Sequence, residues 1–136
     1  MSADGPAAMW AADAASKALG MDCEHVAPGE ARVSMVVRDD MVNGHGLCHG
    51  GLVAALADST FALACNGYGE VTVAAGFDIT FLAPAHRGDT LVAEAVERAR
   101  SGRSGVYDVT VRRRSDATTI AEFRGRSRSV GSLSAP

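Results

Sequence analysis

The chain of 136 residues contains a single lysine, Lys17, and no glycine-rich loop ending in lysine, which excludes a P-loop nucleotide site. It has no Gly-x-Ser-x-Gly elbow, so the usual serine-hydrolase nucleophile is missing as well. The three cysteines, Cys23, Cys48 and Cys65, are odd in number and contain no CxxC pair. That pattern predicts free thiols in a reducing compartment rather than a disulfide scaffold or a structural zinc site. The longest apolar stretch, Leu52 to Ala57, ends at Asp58, far short of the ~18 residues a membrane span needs. Residues Met1 to Pro6 are acidic where a secretory leader would be basic, so the expected location is cytoplasmic with no membrane partner. Aromatic residues make up only 5% of the chain. In the arginine-rich C-terminal third they are limited to Tyr107 and Phe123, too few to stack bases, and no nucleic-acid partner is expected.

What is present describes a compact domain. Apolar residues form 47% of the chain, charged residues 21%, and mean hydropathy is +0.06, which predicts one domain spanning 1–136. Charge is uneven: residues 1–97 carry 4 basic and 13 acidic side chains, residues 98–136 carry 9 and 3.

The alanine-rich stretch Pro6 to Leu19, closed by Gly20, predicts an N-terminal helix within residues 1–20. Alternation of Ala31, Val33, Met35 and Val37 with polar neighbours, after a Pro28-Gly29 turn, predicts a two-stranded hairpin. A glycine-rich loop, Asn43 to Gly51, then feeds a helix over Gly51 to Cys65 that is apolar on nearly every face, as expected of a helix surrounded by protein. Four strands follow: Val71 to Leu82, Thr90 to Arg98, Val106 to Val111 and Thr118 to Arg128. In the first of these, Val71, Val73, Ala75, Phe77, Ile79 and Phe81 alternate as one face. Residues 131–136 read as a flexible tail. This order is α+β, an antiparallel sheet around one helix.

Asp58 is the one carboxylate in that helix. Burial of an unpaired carboxylate costs several kcal/mol, so Asp58 either bonds a neighbouring backbone group or serves as a catalytic base or nucleophile. Ahead of it, Gly50 and Gly51 have no Cβ to keep a ligand oxygen from the unpaired N–H groups of a helix N-terminus. They form either a candidate oxyanion hole or simply a flexible start to the helix. Eight residues separate Gly50 from Asp58, roughly 12 Å of helical rise, too far for one chain to apply both to one carbonyl. If both act, two copies of the helix lie antiparallel in a two-fold dimer with shared sites. Asn43 would then orient water or the substrate carbonyl; a lone asparagine there is more often a turn residue. His45, Cys48 and His49 lack a fourth ligand and do not fit a zinc pattern, so no metal is expected. Gly44-x-Gly46 lacks the spacing of a dinucleotide loop.

The string Asn43-Gly44-His45-Gly46-Leu47-Cys48-His49-Gly50-Gly51-Leu52-Val53-Ala54-Ala55-Leu56-Ala57-Asp58-Ser59-Thr60-Phe61-Ala62 resembles the hotdog-fold thioesterases, most closely the phenylacetic-acid-degradation (PaaI-type) acyl-CoA thioesterase family. Gly76 to Pro84, Gly88 to Leu91, Gly105 to Val109 and Phe123 to Ser127 extend the resemblance over roughly residues 21 to 130. It implies a long helix wrapped by an antiparallel sheet, a homodimer sharing two active sites and often doubled into a tetramer, and hydrolysis of acyl-CoA thioesters without metal or organic cofactor. Asp58 matches the family's nucleophile or general base, Gly50 the glycine whose N–H polarises the thioester carbonyl, Asn43 the residue that positions water or substrate, and His49 the histidine beside that glycine. Some relatives hold water with a serine near the start of the next strand. Here that neighbourhood is Ala74-Ala75, so the contribution is either missing or comes from Ser59 or Thr60.

By family, phenylacetyl-CoA or a ring-hydroxylated relative is the expected substrate. Arg124, Arg126 and Arg128 alternate onto one strand face and, with Arg103, are candidates for the coenzyme A phosphates, or else a solvated sheet surface. Two other activities fit the fold: a non-catalytic acyl-CoA binding or sensing domain, and an enoyl-CoA hydratase. The first leaves Asp58 without a purpose. The second needs a histidine a few positions after it on the helix, and none occurs before His86.

Overall fold

A computed structural model describes residues 5–132. Two short helices, α1 (Pro6–Ala11) and α2 (Ala14–Ala18), lead into a hairpin of β1 (Asp22–Ala27) and β2 (Glu30–Val36). A single 3-10 turn, Asp39–Met41, precedes the loop that feeds α3 (Gly50–Cys65). The chain then runs through β3 (Glu70–Phe81), β4 (Thr90–Ser101), β5 (Ser104–Arg113) and β6 (Thr119–Ser132). All six strands form one antiparallel sheet in the order β1-β2-β4-β5-β6-β3.

The sheet curls around α3, which packs mainly on β2, β4 and β5. Its inner face alternates as half-buried strands must: Ala31, Val33 and Met35 from β2, Leu91, Ala93 and Ala95 from β4, Tyr107, Val109 and Val111 from β5, Ala121 and Phe123 from β6 are all buried. Against them α3 presents Val53, Leu56, Phe61 and Leu63. Phe61 sits at the centre, with its ring centroid 5.5 Å from Tyr107 and 5.8 Å from Phe123. Gly125 makes room for it, since a Cβ there would stand 2.9 Å from three atoms of the Phe61 ring.

Two expectations need correction. The N-terminal helix is not continuous, because Asp13 leaves helical geometry (φ −81, ψ 91) and caps α2, its carboxylate accepting from the Ser16 backbone N–H at 2.9 Å. An aspartate that caps competes with the helix it would otherwise continue. Nor do the apolar residues of β3 share one face. The pairing with β6 slips between Ala74 and Gly76, a bulge at Ala75. Phe77, Ile79 and Phe81 oppose the inward Gly125, Phe123 and Ala121, whereas Val73 opposes the outward Arg128. At the other end of the chain, Gly131 and Ser132 belong to β6, and residues 133–136 of the expected tail lie outside the described residues.

Candidate active site

The loop before α3 is built by Asn43. Its side-chain oxygen accepts from the backbone N–H of His45 at 2.9 Å and of Leu47 at 3.2 Å, while its own N–H donates to the Leu47 carbonyl at 2.7 Å. Gly46 supplies the left-handed backbone (φ 77) that lets so short a loop turn. Isolated bridges from Val42 to Cys48 and from Leu47 to His86 tie it down. With the oxygen thus occupied, the amide nitrogen of Asn43 is the group left to meet a ligand.

The loop delivers His49, extended at φ −60 and ψ 132, as the N-cap of α3. Its carbonyl accepts from Leu52 and Val53, and its side chain makes no capping bond. The N–H groups of Gly50 and Gly51, the first of the helix, have no backbone acceptor among the described residues. Gly50 opens onto a cleft of about 370 Å³, lined by Asn43, Cys48, Val53, Phe81, Leu82 and Ile120 among others. The ring of Phe81 crosses the glycine so closely that a Cβ on Gly50 would lie 3.1 Å from it. The Cys48 thiol is buried, and burial pushes its pKa up, so it stands in this wall as a neutral group.

Asp58 occupies the next stretch of the same helix, roughly 12 Å of rise from Gly50, and does not line the cleft. It is half-buried and has no hydrogen-bond partner among the described residues. Desolvation pushes its pKa above the ordinary carboxylate range, and the nearby Asp13 carboxylate pushes it further in the same direction. Ser59 beside it bonds Ser16 of α2, Oγ to Oγ, at 2.7 Å. Thr60 is fully buried and its hydroxyl donates to the Leu56 carbonyl at 2.7 Å, so the expected contact of Thr60 with substrate is not available.

The four residues of the expected catalytic set therefore fall into two groups on one chain: Asn43, His49 and Gly50, with Gly51, at the start of α3, and Asp58, with Ser59, further along it. The arginines divide too. Arg126 approaches Asp78 at 3.3 Å, while Arg124 holds Asp108, which also takes Arg98 at 2.7 Å. Arg103, in the β4–β5 turn, and Arg128 meet no acidic side chain among the described residues; Ser104 pairs with Arg128 across the sheet, so the two cations share one end of it. Among the described residues no three His, Cys, Asp or Glu side chains converge as metal ligands, and no helix is long and apolar enough to cross a membrane.

Sequence reasoning missed Phe81 as a wall of the site; its place in an apolar alternation ending at a proline-bearing turn was the only signal. It also missed Asp13 and Ser16, which nothing in the linear sequence ties to Asp58.

Known proteins agree with this architecture. Residues 45–120 match the family model described as "Thioesterase superfamily". The chain is 44% identical to acyl-coenzyme A thioesterase PaaI of Escherichia coli (strain K12) over 91% of its own length and 88% of that protein's. The solved structure of the E. coli PaaI protein superposes with a TM-score of 0.89, covering 92% of this chain and 90% of that one. A point mutant of the phenylacetic acid degradation protein PaaI from Thermus thermophilus is 39% identical, with a TM-score of 0.81 over 85% and 97% of the two chains. A Streptococcus mutans protein bound to acetyl CoA is 25% identical, with a TM-score of 0.78 over 82% and 90%. With its antiparallel sheet wrapped about one glycine-led helix, the chain belongs to the thioesterase superfamily, as a hotdog-fold enzyme similar to PaaI.

Proposed function

We propose that the protein hydrolyses acyl-coenzyme A thioesters to the carboxylic acid and free coenzyme A, with phenylacetyl-CoA or a ring-hydroxylated phenylacetyl-CoA as the substrate class. The observation that carries this reading is the coexistence, on one helix, of N–H groups without an acceptor beside an apolar cleft and a desolvated carboxylate without a partner, both among the described residues. Donors of the first kind stabilise the oxyanion that forms when a carbonyl is attacked. A carboxylate of the second kind, its pKa raised by desolvation, is a stronger base than a solvated one and can serve as base or nucleophile. The aromatic and aliphatic lining, Phe81, Leu82, Val53 and Ile120, suits an arylacetyl group, and the name of the E. coli relative points to the thioester.

In this mechanism the Gly50 N–H, with Gly51 next to it, receives the thioester oxygen, and the Asn43 amide nitrogen positions water or that oxygen. His49 stands beside the pair. Asp58 of the partner subunit either attacks the carbonyl carbon or takes a proton from water as the water oxygen attacks it. The carbon–sulfur bond then breaks, and coenzyme A leaves as a thiolate stable enough to need no metal; where Asp58 itself attacked, water next hydrolyses the acyl anhydride on Asp58, releasing the acid and restoring the carboxylate. Arg103 and Arg128 bind the phosphates.

The homodimer is supported by β3, an edge strand whose outer side is unpaired among the described residues and whose Val73, Phe77 and Phe81 are 45%, 42% and 50% exposed. Soluble proteins rarely leave a long apolar edge uncovered. In the proposed dimer a two-fold axis beside that edge would set two α3 helices antiparallel, with each Asp58 opposite Gly50 of the partner subunit. Doubling into a tetramer follows from the resemblance to PaaI-type enzymes.

The test is thiol release from a panel of acyl-CoA esters, read with a thiol-reactive dye. Arylacetyl-CoA turnover that falls about 10²–10⁴-fold in Asp58→Asn, with the oligomer unchanged, supports the assignment; unaltered turnover removes Asp58 from the chemistry.

A further inference from the structure

Beside Asp58, a chain of hydrogen bonds has a direction that its chemistry fixes. The Ser16 hydroxyl, buried between α2 and α3, donates its only hydrogen to the Asp13 carboxylate at 2.6 Å, because an ionised carboxylate can only accept. The 2.7 Å contact between Ser16 Oγ and Ser59 Oγ must then be donated by Ser59. Ser59 thereby has no hydrogen left for a ligand and presents lone pairs only, one residue from Asp58 on the same helix.

We propose that Asp13 and Ser16 are positioning residues that hold Ser59 as a hydrogen-bond acceptor for the attacking water, one hydrogen of which points to Ser59 Oγ while the other is taken by Asp58. This rests on the reading of Asp58 as the group that handles water. A water held by two acceptors turns its own lone pair away from both, toward the thioester carbon. Oxygen adds to that carbon as the proton passes to Asp58; the carbon–sulfur bond then breaks, coenzyme A leaves as the thiolate, and Asp58 gives its proton up to that sulfur or to solvent, so that water and the thioester are the only reactants. The α1–α2 segment, which lies outside the glycine-rich motif, so becomes part of the active site.

Asp13 has a second effect on the same carboxylate. Of the titratable groups packed on Asp58 from other elements among the described residues, Asp13 of α2 is the one that acts on it, and from its own helix Cys65 couples to it. Burial, and after it the negative charge of Asp13, favour the protonated acid. Removal of that charge lowers the pKa and moves the acid limb of the rate profile to lower pH.

The experiment is a double-mutant cycle on kcat and KM for arylacetyl-CoA hydrolysis, with Ser16→Ala, Ser59→Ala and the pair, alongside Asp13→Asn, Ser16→Thr and Asp58→Asn. Ser16→Ala and Ser59→Ala each lower kcat about tenfold with little change in KM, the pair is no worse than Ser59→Ala alone, and Ser16→Thr restores the rate. Asp13→Asn keeps the helix cap, so it folds, and its acid limb shifts to lower pH. Additive losses in the pair, or an acid limb unmoved in Asp13→Asn, overturn the proposal. Failure of the underlying reading shows separately, as an Asp58→Asn enzyme with full activity.

Discussion

The ring of Phe81 lies across the backbone of Gly50, so that a Cβ on the glycine would stand 3.1 Å from the ring's Cζ. The contact joins the end of β3 to the start of α3 and sets the width of the cleft where the Gly50 N–H emerges. Gly50→Ala is therefore expected to displace the ring, lower kcat by at least tenfold and leave the melting temperature within a few degrees. Steady-state kinetics and calorimetry check this together, and wild-type kcat in a folded Gly50→Ala protein would contradict it.

Gly125 makes the complementary test of the core. A methyl group there meets the Phe61 ring at 2.9 Å, with Tyr107 and Phe123 closing the other sides. Gly125→Ala should destabilise the fold by about 1–3 kcal/mol, measured by urea unfolding with the slope unchanged.

Along β3, Val71 and Val73 are 37% and 45% exposed on an edge with no neighbouring strand among the described residues. Replacement of both by lysine sets like charges face to face across a two-fold strand pair. Light scattering should then give half the dimer mass. An unchanged mass places the interface elsewhere.

Arg103 and Arg128 lack acidic partners among the described residues, whereas Arg126 is engaged by Asp78 at 3.3 Å. The double variant Arg103→Ala/Arg128→Ala should raise KM for coenzyme A thioesters about tenfold, an effect that shrinks as salt is added, and leave a truncated thioester without phosphates unaffected. Arg126→Ala should change KM much less.

Local chemistry made parts of this molecule legible. The punctuation Gly44, Gly46, Gly50 and Gly51 followed by a mostly apolar run free of glycine and proline located α3 to within one residue, and the alternation in β2 located its buried face at Ala31, Val33 and Met35. Both signals depend only on neighbours along the chain. The rest depends on partners far away in it. The bulge at Ala75 turns Val73 outward while Phe77 stays inward, and no periodicity reveals a one-residue slip. Of the three arginines that alternate on β6, Arg124 and Arg126 are engaged by Asp108 and Asp78, partners that only the register of β5 and β3 brings beside them. Likewise the side chain of Asp13 ends one helix, caps the next and reaches the neighbourhood of Asp58, a meeting made by the packing of α2 on α3.

The central claim is that one working site draws Asp58 from one chain and Gly50 from the other, and co-expression of two crippled chains tests it directly. A chain carrying Asp58→Ala and a chain carrying Gly50→Val are each inactive as homodimers, and circular dichroism verifies that each folds. In a mixed dimer with shared sites, one site collects both lesions and the other neither, so an equal mixture should recover about a quarter of wild-type thioesterase activity. Activity that stays at the level of the parents, in mixed dimers isolated by two affinity tags, would show that each chain works alone and would contradict the account.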